Sequence, residues 1–147
     1  MNSALLYTRI VDYTTQNGFQ LSNIQLSYQL FGQKLGTAPV VMVNHALTGN
    51  SSVTGNGGWW QDLIGNKKPI DTNRYTIIAF NIPGNGYDDV LIDNYQDFVA
   101  KDIANLFLLA LNQIGITKLF AIIGGSLGGG IAWEMVALKK DITQHLI

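Results

Sequence analysis

Cysteine is absent from this sequence of 147 residues, and its absence excludes several kinds of stabilisation and chemistry. Disulfide bonds, zinc sites built from thiolates and cysteine nucleophiles all need a thiol. We therefore predict a chain that folds without covalent cross-links, and we predict no metal site in it. Any nucleophile must come from another residue type.

Charged residues are also scarce, at 13% of the chain, and they nearly balance to a formal net charge of −1. This balance provides no basic face for nucleic acid and no basic helix for a membrane surface. No apolar run reaches the roughly 18 residues that span a bilayer. The opening MNSALLYTRIVDY lacks the basic start and long apolar segment of a signal peptide. We therefore expect a cytoplasmic protein that binds small molecules, with neither nucleic acid nor a membrane as a partner.

Apolar residues make up 47% of the chain, which is far too many for a disordered protein. A chain of this length buries roughly 68–70% of its unfolded surface, so one domain with a substantial core is expected. No internal repeat, low-complexity segment or linker interrupts the sequence.

The order of apolar patterns predicts an α/β fold. Residues 5–31 alternate around the turn signal Gln16-Asn17-Gly18, which is typical of two antiparallel strands. Further along, continuous apolar runs predict strands buried on both faces, and three- and four-residue spacing predicts helices. The expected strands are 40–45, 75–82 and 118–125; the expected helices are 96–114 and 127–140, with a short helix at 59–65 and a further strand starting near 145. This order favours a mostly parallel sheet that is led by antiparallel strands and wrapped by helices.

The stretch IIGGSLGGGIAWE, Ile122 to Glu134, places Ser126 among glycines between a predicted strand and a predicted helix. Its Gly-Gly-Ser-Leu-Gly core matches G-x-S-x-G, the pattern of a nucleophile elbow, which holds a serine in a strained turn above a sheet. A dinucleotide fingerprint needs a different glycine spacing and a P-loop needs a lysine, so neither pattern fits. A plain glycine turn is the simpler alternative, but the strand–turn–helix context favours Ser126 as a nucleophile.

An earlier loop, NHALTG from Asn44 to Gly49, supports this interpretation because it directly follows a predicted buried strand. Where such an elbow occurs, one N–H of the oxyanion hole comes from the residue after the serine, and the other comes from the loop after an earlier strand. Here these would be the backbone N–H groups of Leu127 and Leu47. His45 precedes the serine, whereas the base follows it in that chain order, so we predict that His45 braces the loop by hydrogen bonds.

Several motifs in one order resemble the homoserine O-acetyltransferase family of α/β-hydrolase-fold enzymes. They are VNHALTGNS, GGWWQDLIG, IDTNRYTIIAFN and IGITKLFAIIGGSLGGGIAWE, and together they cover nearly the whole chain. The resemblance implies that Ser126 takes an acetyl group from acetyl-CoA and passes it to the hydroxyl of homoserine. It also implies that no cofactor stays bound, that acetyl-CoA is a cosubstrate, and that the full-length protein is a possible homodimer.

The sequence departs from the family pattern in three places. NIPGNGYDDVLID stands where family members carry a Gly-Ser-Thr-Gly-Pro element near the substrate entrance, so the acceptor is open. Leu127 replaces a methionine, but only its backbone N–H is needed. Trp59 and Trp60 could line an acyl pocket, although large apolar residues more often belong to the core.

The acid and the base that an elbow serine needs follow it in chain order. After Ser126 the chain offers Asp141 and His145. Both come just past the helix that leads away from the elbow, so we expect neither to serve it. The resemblance places the acid, the base and a helical lid downstream, and implies that residues 1–147 form the N-terminal part of one α/β-hydrolase domain, with the lid and C-terminal part absent.

The expected strand 118–125 would be central in a complete sheet. In a piece of 147 residues we expect it to have an unpaired edge and an uncovered apolar flank. We predict that such a piece, expressed alone, is poorly soluble or needs a partner fragment. Two other functions remain open: a serine hydrolase of the same fold that passes the acyl group to water, and a non-catalytic half-domain used for binding or assembly.

Overall fold

The computed structural model describes residues 3–147 as one mixed sheet with two helices on one side. Within that range the elements are β1 (Leu6–Thr14), β2 (Gln20–Gly32), β3 (Val40–Asn44), β4 (Ile64–Gly65), β5 (Ile70–Asp71), β6 (Thr76–Phe80), α1 (Ala100–Gln113), β7 (Leu119–Gly124), α2 (Leu127–Leu138) and β8 (Thr143–Leu146). The main sheet has the order β1-β2-β6-β3-β7-β8, and β4 and β5 form a separate small pair. β2 pairs antiparallel with β1 and β6, whereas β6, β3, β7 and β8 run parallel. The predicted fold class, an α/β-hydrolase-like sheet with antiparallel N-terminal strands, is therefore confirmed.

Both faces of the central strands are buried, which explains their continuous apolar runs. Every residue of β3 and of β6 is buried. On one face, Met42 and Ile78 pack in a core that includes the apolar sides of α1 and α2. On the other face, Val43 and Ile77 pack against the segment 53–64, which connects β3 to β6 along the chain and covers this side of the sheet. Burying each such side chain stabilises the fold by about 1.5–3 kcal/mol.

The first helix starts four residues later than its apolar spacing predicts. A 3₁₀ turn, Tyr95–Asp97, comes first, and Val99 is extended with φ −98° and ψ 167°. The Asp102 carboxylate accepts the Val99 N–H at 3.1 Å and so caps the helix at this point. At the other end, Gly115 has φ 83° as predicted for a helix stop. Among residues 3–147, neither this helix nor any other is long and apolar enough to cross a membrane.

The same carboxylate ties the first hairpin to α1. Asp102 is fully buried and accepts the Tyr13 hydroxyl at 2.8 Å and the Gln16 N–H at 2.9 Å. Burial and the hydrogen bond to Asp102 raise the pKa of Tyr13 to about 12, so the phenol stays protonated and keeps donating. The start of α1 is therefore fixed relative to the sheet.

The predicted short helix at 59–65 is wrong. The segment forms successive turns, in which the N–H groups of Leu63 and Ile64 both bond to the Trp60 carbonyl, and it then enters β4. The Trp60 N–H bonds instead to the Val53 carbonyl at 3.0 Å, so the backbone is held by the preceding loop. The second helix also ends two residues early, at Leu138, because Lys139 leaves helical geometry with φ −142° and ψ 88°.

The expected unpaired edge on strand 118–125 is wrong as well. β7 lies between β3 and β8, and β8 pairs with it in parallel from Leu119 opposite Thr143 to Ile122 opposite Leu146. The short run after α2 therefore forms a complete strand and becomes the edge of the sheet in its place. The predicted low solubility of the isolated piece stays a prediction.

Candidate active site

Ser126 occupies the turn between β7 and α2, at the carboxyl edge of the parallel strands. Its backbone has φ 55° and ψ −124°, a region that residues with a β-carbon rarely adopt. Such a conformation costs of order 1–3 kcal/mol and persists only where the surroundings enforce it. The side chain is exposed, and its hydroxyl makes no capping hydrogen bond to the helix that it precedes. The strain thus presents a free hydroxyl at the N-terminus of α2, where the helix dipole favours negative charge.

Two glycines allow this turn to pack tightly. A β-carbon on Gly124 would lie 2.3 Å from the carbonyl oxygen of Gly128. One on Gly128 would lie 2.2 Å from the carbonyl oxygen of Asn44 and 2.7 Å from that of His45. The first turn of α2 therefore rests directly on the backbone at the end of β3, which no larger residue would permit.

The loop after β3, residues 45–51, is here called the oxyanion loop. Leu47 lies in this loop, is 72% exposed, and lines the same cavity as Leu127 at the start of α2. Within the described range, neither backbone N–H donates to another residue, and the first N–H groups of a helix lack partners by geometry. The two residues predicted to supply the oxyanion hole therefore line one cavity, and one of them, Leu127, directly follows the exposed Ser126.

The cavity shared by these residues is largely apolar and has a volume of about 270 Å³. It is lined by Leu47, Ile82, Pro83, Gly84, Asn85, Tyr95, Phe98, Ala100, Ile103 and Leu127. The segment that departs from the family pattern thus forms one wall, and the N-terminal part of α1 forms another. No carboxylate, ammonium or guanidinium group belongs to this lining, as far as residues 3–147 show.

His45 is buried and holds the start of the oxyanion loop, as predicted. Its Nε2 accepts the Ile82 N–H at 3.1 Å, so the proton of the neutral ring sits on Nδ1 and is donated to the Ala46 carbonyl at 2.6 Å. Burial lowers the pKa of His45, which keeps the ring neutral and this arrangement intact. Both nitrogens are therefore occupied by the backbone, and the ring has no free position for a proton from Ser126.

Buried polar side chains hold the other end of the oxyanion loop. Asn81, directly after β6, accepts the Ser51 N–H at 2.8 Å and donates to the Ser51 hydroxyl at 3.0 Å and to the Ser27 hydroxyl at 2.9 Å. The Ser51 hydroxyl in turn donates to Gln29 Oε1 at 2.8 Å. Sequence reasoning missed this cluster, because Asn81 reads as the last polar position of a buried strand. A polar residue at the carboxyl end of such a strand was the available signal.

The structure separates Asp141 and His145 from Ser126, in line with the prediction. Asp141 precedes β8 and so lies at the amino edge of the parallel strands, opposite the elbow. His145 lies within β8 in register with Ala121, and its ring meets the Phe120 ring edge-on at 4.9 Å between centroids. Neither side chain reaches the carboxyl edge where Ser126 lies.

The two tryptophans divide between the core and the surface. Trp60 is partly buried against the second core cluster, and its ring would contact a β-carbon on Gly125 at 3.7 Å. Trp59 is 37% exposed and donates its indole N–H to the Asn50 carbonyl at 2.9 Å. Neither lines the apolar cavity, so the interpretation of these residues as core holds for Trp60.

Comparison with known proteins identifies this arrangement at the level of fold. A family model described as alpha/beta hydrolase fold matches residues 39–147. The chain is 34% identical over 149 residues to the homoserine O-acetyltransferase of Corynebacterium diphtheriae, and the match covers 94% of this chain and 40% of that protein. The chain thus spans about two fifths of the length of the curated relatives that it matches.

The solved structures that share this fold include proteins named homoserine O-acetyltransferase and proteins named esterase. Homoserine O-acetyltransferase from Staphylococcus aureus superposes with a TM-score of 0.85 at 26% identity, over 99% of this chain and 46% of that one. Esterase E22 superposes with a TM-score of 0.81 at 23% identity, over 96% of this chain and 45% of that one. The second likeness shows the fold alone, because one fold hosts many chemistries.

Proposed function

The chain belongs to the α/β-hydrolase fold family, and on this basis we propose that its complete polypeptide transfers an acyl group from an acyl-CoA, with acetyl-CoA the expected donor. The acceptor would be the hydroxyl of homoserine or a related small amino acid, and Ser126 would carry the acyl group between the two half-reactions. The observation that carries this proposal is the strained, exposed Ser126, which directly precedes Leu127 at a cavity that Leu47 also lines. Similarity to proteins named homoserine O-acetyltransferase supports the choice of reaction.

In the first half-reaction, Ser126 Oγ attacks the thioester carbonyl carbon while its proton passes to a general base. The carbonyl oxygen becomes an oxyanion that accepts hydrogen bonds from the N–H groups of Leu47 and Leu127. The carbon–sulfur bond then breaks, the sulfur takes the proton from the protonated base so that CoA leaves as its thiol, and an ester on Ser126 remains. Each hydrogen-bond donor of this kind typically lowers the barrier by about 2.7–4 kcal/mol.

In the second half-reaction, the acceptor hydroxyl attacks that ester, the same two N–H groups stabilise the second oxyanion, and the Ser126 hydroxyl is regenerated. His45 cannot supply the base, because both of its nitrogens are held by the backbone. We assign the base and its acid partner to the remainder of the protein, since the chain spans about two fifths of its relatives' length.

A serine hydrolase of the same fold is the second candidate, and the cavity favours it. Homoserine carries an ammonium and a carboxylate, which need charged or polar partners, whereas the described cavity lining has no charged side chain and its polar side chains are those of Asn85 and Tyr95. An acyl ester with a neutral alcohol would fit this surface without them. In that reaction water, rather than an amino acid hydroxyl, attacks the Ser126 ester.

One experiment separates these functions. The full-length protein is incubated with acetyl-CoA, with and without homoserine, and free thiol and O-acetylhomoserine are both measured. Thiol release that requires homoserine supports the transferase, and release that ignores it supports the hydrolase. Ser126→Ala should abolish the acetylated protein seen by mass spectrometry under both mechanisms, and a CoA burst that survives this change would refute the nucleophile.

A further inference from the structure

The two ends of the oxyanion loop are tied to two consecutive residues directly after β6, one end to each. At the start of the loop, the His45 ring accepts the Ile82 N–H at 3.1 Å. At its end, the Ser51 N–H donates to Asn81 Oδ1 at 2.8 Å. The exposed Leu47 lies between these two anchors. The position of its N–H therefore depends on where the chain leaves β6.

The orientation of the Asn81 amide follows from its partners. A backbone N–H can only donate, so the Asn81 atom that faces the Ser51 N–H must be the oxygen. The amide nitrogen then faces the hydroxyls of Ser51 and Ser27, which accept from it. Asn85 adds a bond from its own amide to Asn81 Oδ1 at 3.1 Å. Asn81 thus joins the loop, β2 and the cavity wall through one side chain.

This cluster is costly to bury and would not be needed for stability alone. Asn81, Ser51, Ser27 and Gln29 are each at most 4% exposed. Buried polar groups cost free energy unless they are paired, and well-packed apolar residues would fill the same space without that requirement. The polar cluster fixes the orientation of the oxyanion loop, because hydrogen bonds hold the loop at a defined distance and angle whereas apolar contacts do not.

We propose that Asn81 is a positioning residue for the oxyanion hole, holding the Leu47 N–H where the oxyanion forms. The proposal rests on the proposed function, in which Leu47 stabilises that oxyanion. Such a donor works only when it is already aimed at the position where charge develops. A displacement of about 1 Å at a reacting centre can lower the rate about 100-fold. Asn81 touches no substrate in this arrangement and acts only through the loop.

The test compares Asn81→Ala with Thr76→Val in the full-length protein. Thr76 starts β6, five positions before Asn81 on the same segment, and its buried hydroxyl bonds to the Gln33 carbonyl at 2.9 Å. Both variants therefore remove one buried side-chain anchor, but at opposite edges of the sheet. We expect Asn81→Ala to lower kcat about 10- to 100-fold with little change in KM, somewhat less than losing a donor outright. We expect Thr76→Val to leave kcat within about threefold.

The affinity for an inhibitor that mimics the tetrahedral intermediate reports on the oxyanion hole, and a loss of stability alone would not change that affinity. A small alkylboronic acid adds to a serine hydroxyl and places an oxygen where the oxyanion forms. Asn81→Ala should weaken its binding by about the same factor as kcat, while Thr76→Val should not. Ser51→Ala keeps the backbone bond to Asn81 Oδ1, and it should therefore lower kcat less than Asn81→Ala does.

Hydrogen exchange at the Gly49 amide, which bonds to the Ala46 carbonyl at 2.9 Å within the loop, follows the loop without any turnover. We expect faster exchange there in Asn81→Ala and wild-type exchange in Thr76→Val. Unchanged exchange, or a fall in kcat no larger than that of Thr76→Val, would overturn the positioning role. The two proposals fail separately: wild-type turnover in Ser126→Ala refutes the proposed function, whereas an inactive Ser126→Ala with an unimpaired Asn81→Ala refutes only this inference.

Discussion

A β-carbon added to Gly128 would lie 2.2 Å from the carbonyl oxygen of Asn44. This approach is closer than any side chain on Gly128 would allow, so the backbone of the first turn of α2 lies directly against the backbone at the end of β3. Since Ser126 precedes that turn and the oxyanion loop follows that strand, the contact sets the distance between the two halves of the proposed site.

Gly128→Ala should therefore push the two halves apart. We expect it to lower the free energy of unfolding by about 1–3 kcal/mol, as overpacking typically does, and to lower acyl transfer at least about 100-fold. Gly130→Ala is the matched control, because a β-carbon there meets nothing within 4 Å. That variant should be more stable by about 0.5–1 kcal/mol, since alanine suits a helix better than glycine. Urea unfolding and turnover of the full-length protein measure both, and similar effects of the two variants would contradict the packing argument.

Ser126→Gly should remove the hydroxyl and the backbone strain together. Glycine adopts φ near 55° readily, whereas serine is held there at a cost. We expect Ser126→Gly to be inactive and more stable than the wild type by about 1 kcal/mol. Ser126→Ala should be equally inactive but no more stable, because alanine keeps the β-carbon. Thermal unfolding at one pH compares the three proteins, and equal stability of the glycine and alanine variants would argue against strain at this position.

The buried His45 should make stability depend on pH below neutrality. Burial lowers its pKa in the folded state below the value of about 6.5 in the unfolded chain. Its stabilising contribution is therefore complete above pH 6.5 and is lost as pH falls through the folded pKa, because the unfolded state then binds the proton more readily. Urea midpoints between pH 7.5 and 5 measure this slope, with His45→Gln and the exposed His145→Gln as a matched pair. We expect His45→Gln, but not His145→Gln, to reduce the dependence of the urea midpoint on pH. An equal reduction in both variants would refute the assignment of this dependence to His45.

Tyr13→Phe should lower the free energy of unfolding by more than the loss of an exposed hydrogen bond between the same two elements does. The change leaves the buried Asp102 carboxylate without one of its donors, and hydrogen bonds to charged groups contribute about 1.5–3 kcal/mol. Thr8→Val is the control, since the exposed Thr8–Gln113 bond also joins β1 to α1 and should cost less than about 1 kcal/mol. The Tyr13 phenol should titrate near pH 12, so its contribution persists below the usual tyrosine pKa near 10 and is lost as pH rises through 12. Denaturant unfolding of the two variants at pH 7 tests the first part, and ultraviolet absorbance during alkaline titration tests the second.

The fold was largely accessible from the sequence because its signals are local. Continuous apolar runs mark β3, β6 and β7, the turn signal at Gln16-Asn17-Gly18 marks the first hairpin, and the glycine stop marks the end of α1. The errors arose where distant groups decide. The start of α1 depends on the Asp102 carboxylate, which Tyr13 and Gln16 of the first hairpin hold in place. The segment after Trp59 follows bonds to the loop at Val53 rather than its own helical spacing.

The candidate site was likewise predictable from the sequence only in its local features. Neighbouring residues were enough to predict the turn that holds Ser126 between glycines and the earlier loop that holds Leu47, because a strand–turn–helix motif is a local pattern. The folded structure was needed to show that Leu47 and Leu127 share one cavity, that His45 is held in one tautomer, and that Asn81 anchors the loop. These relationships join residues that follow different strands of the sheet. Their geometry follows from parallel packing and burial, which no local pattern encodes.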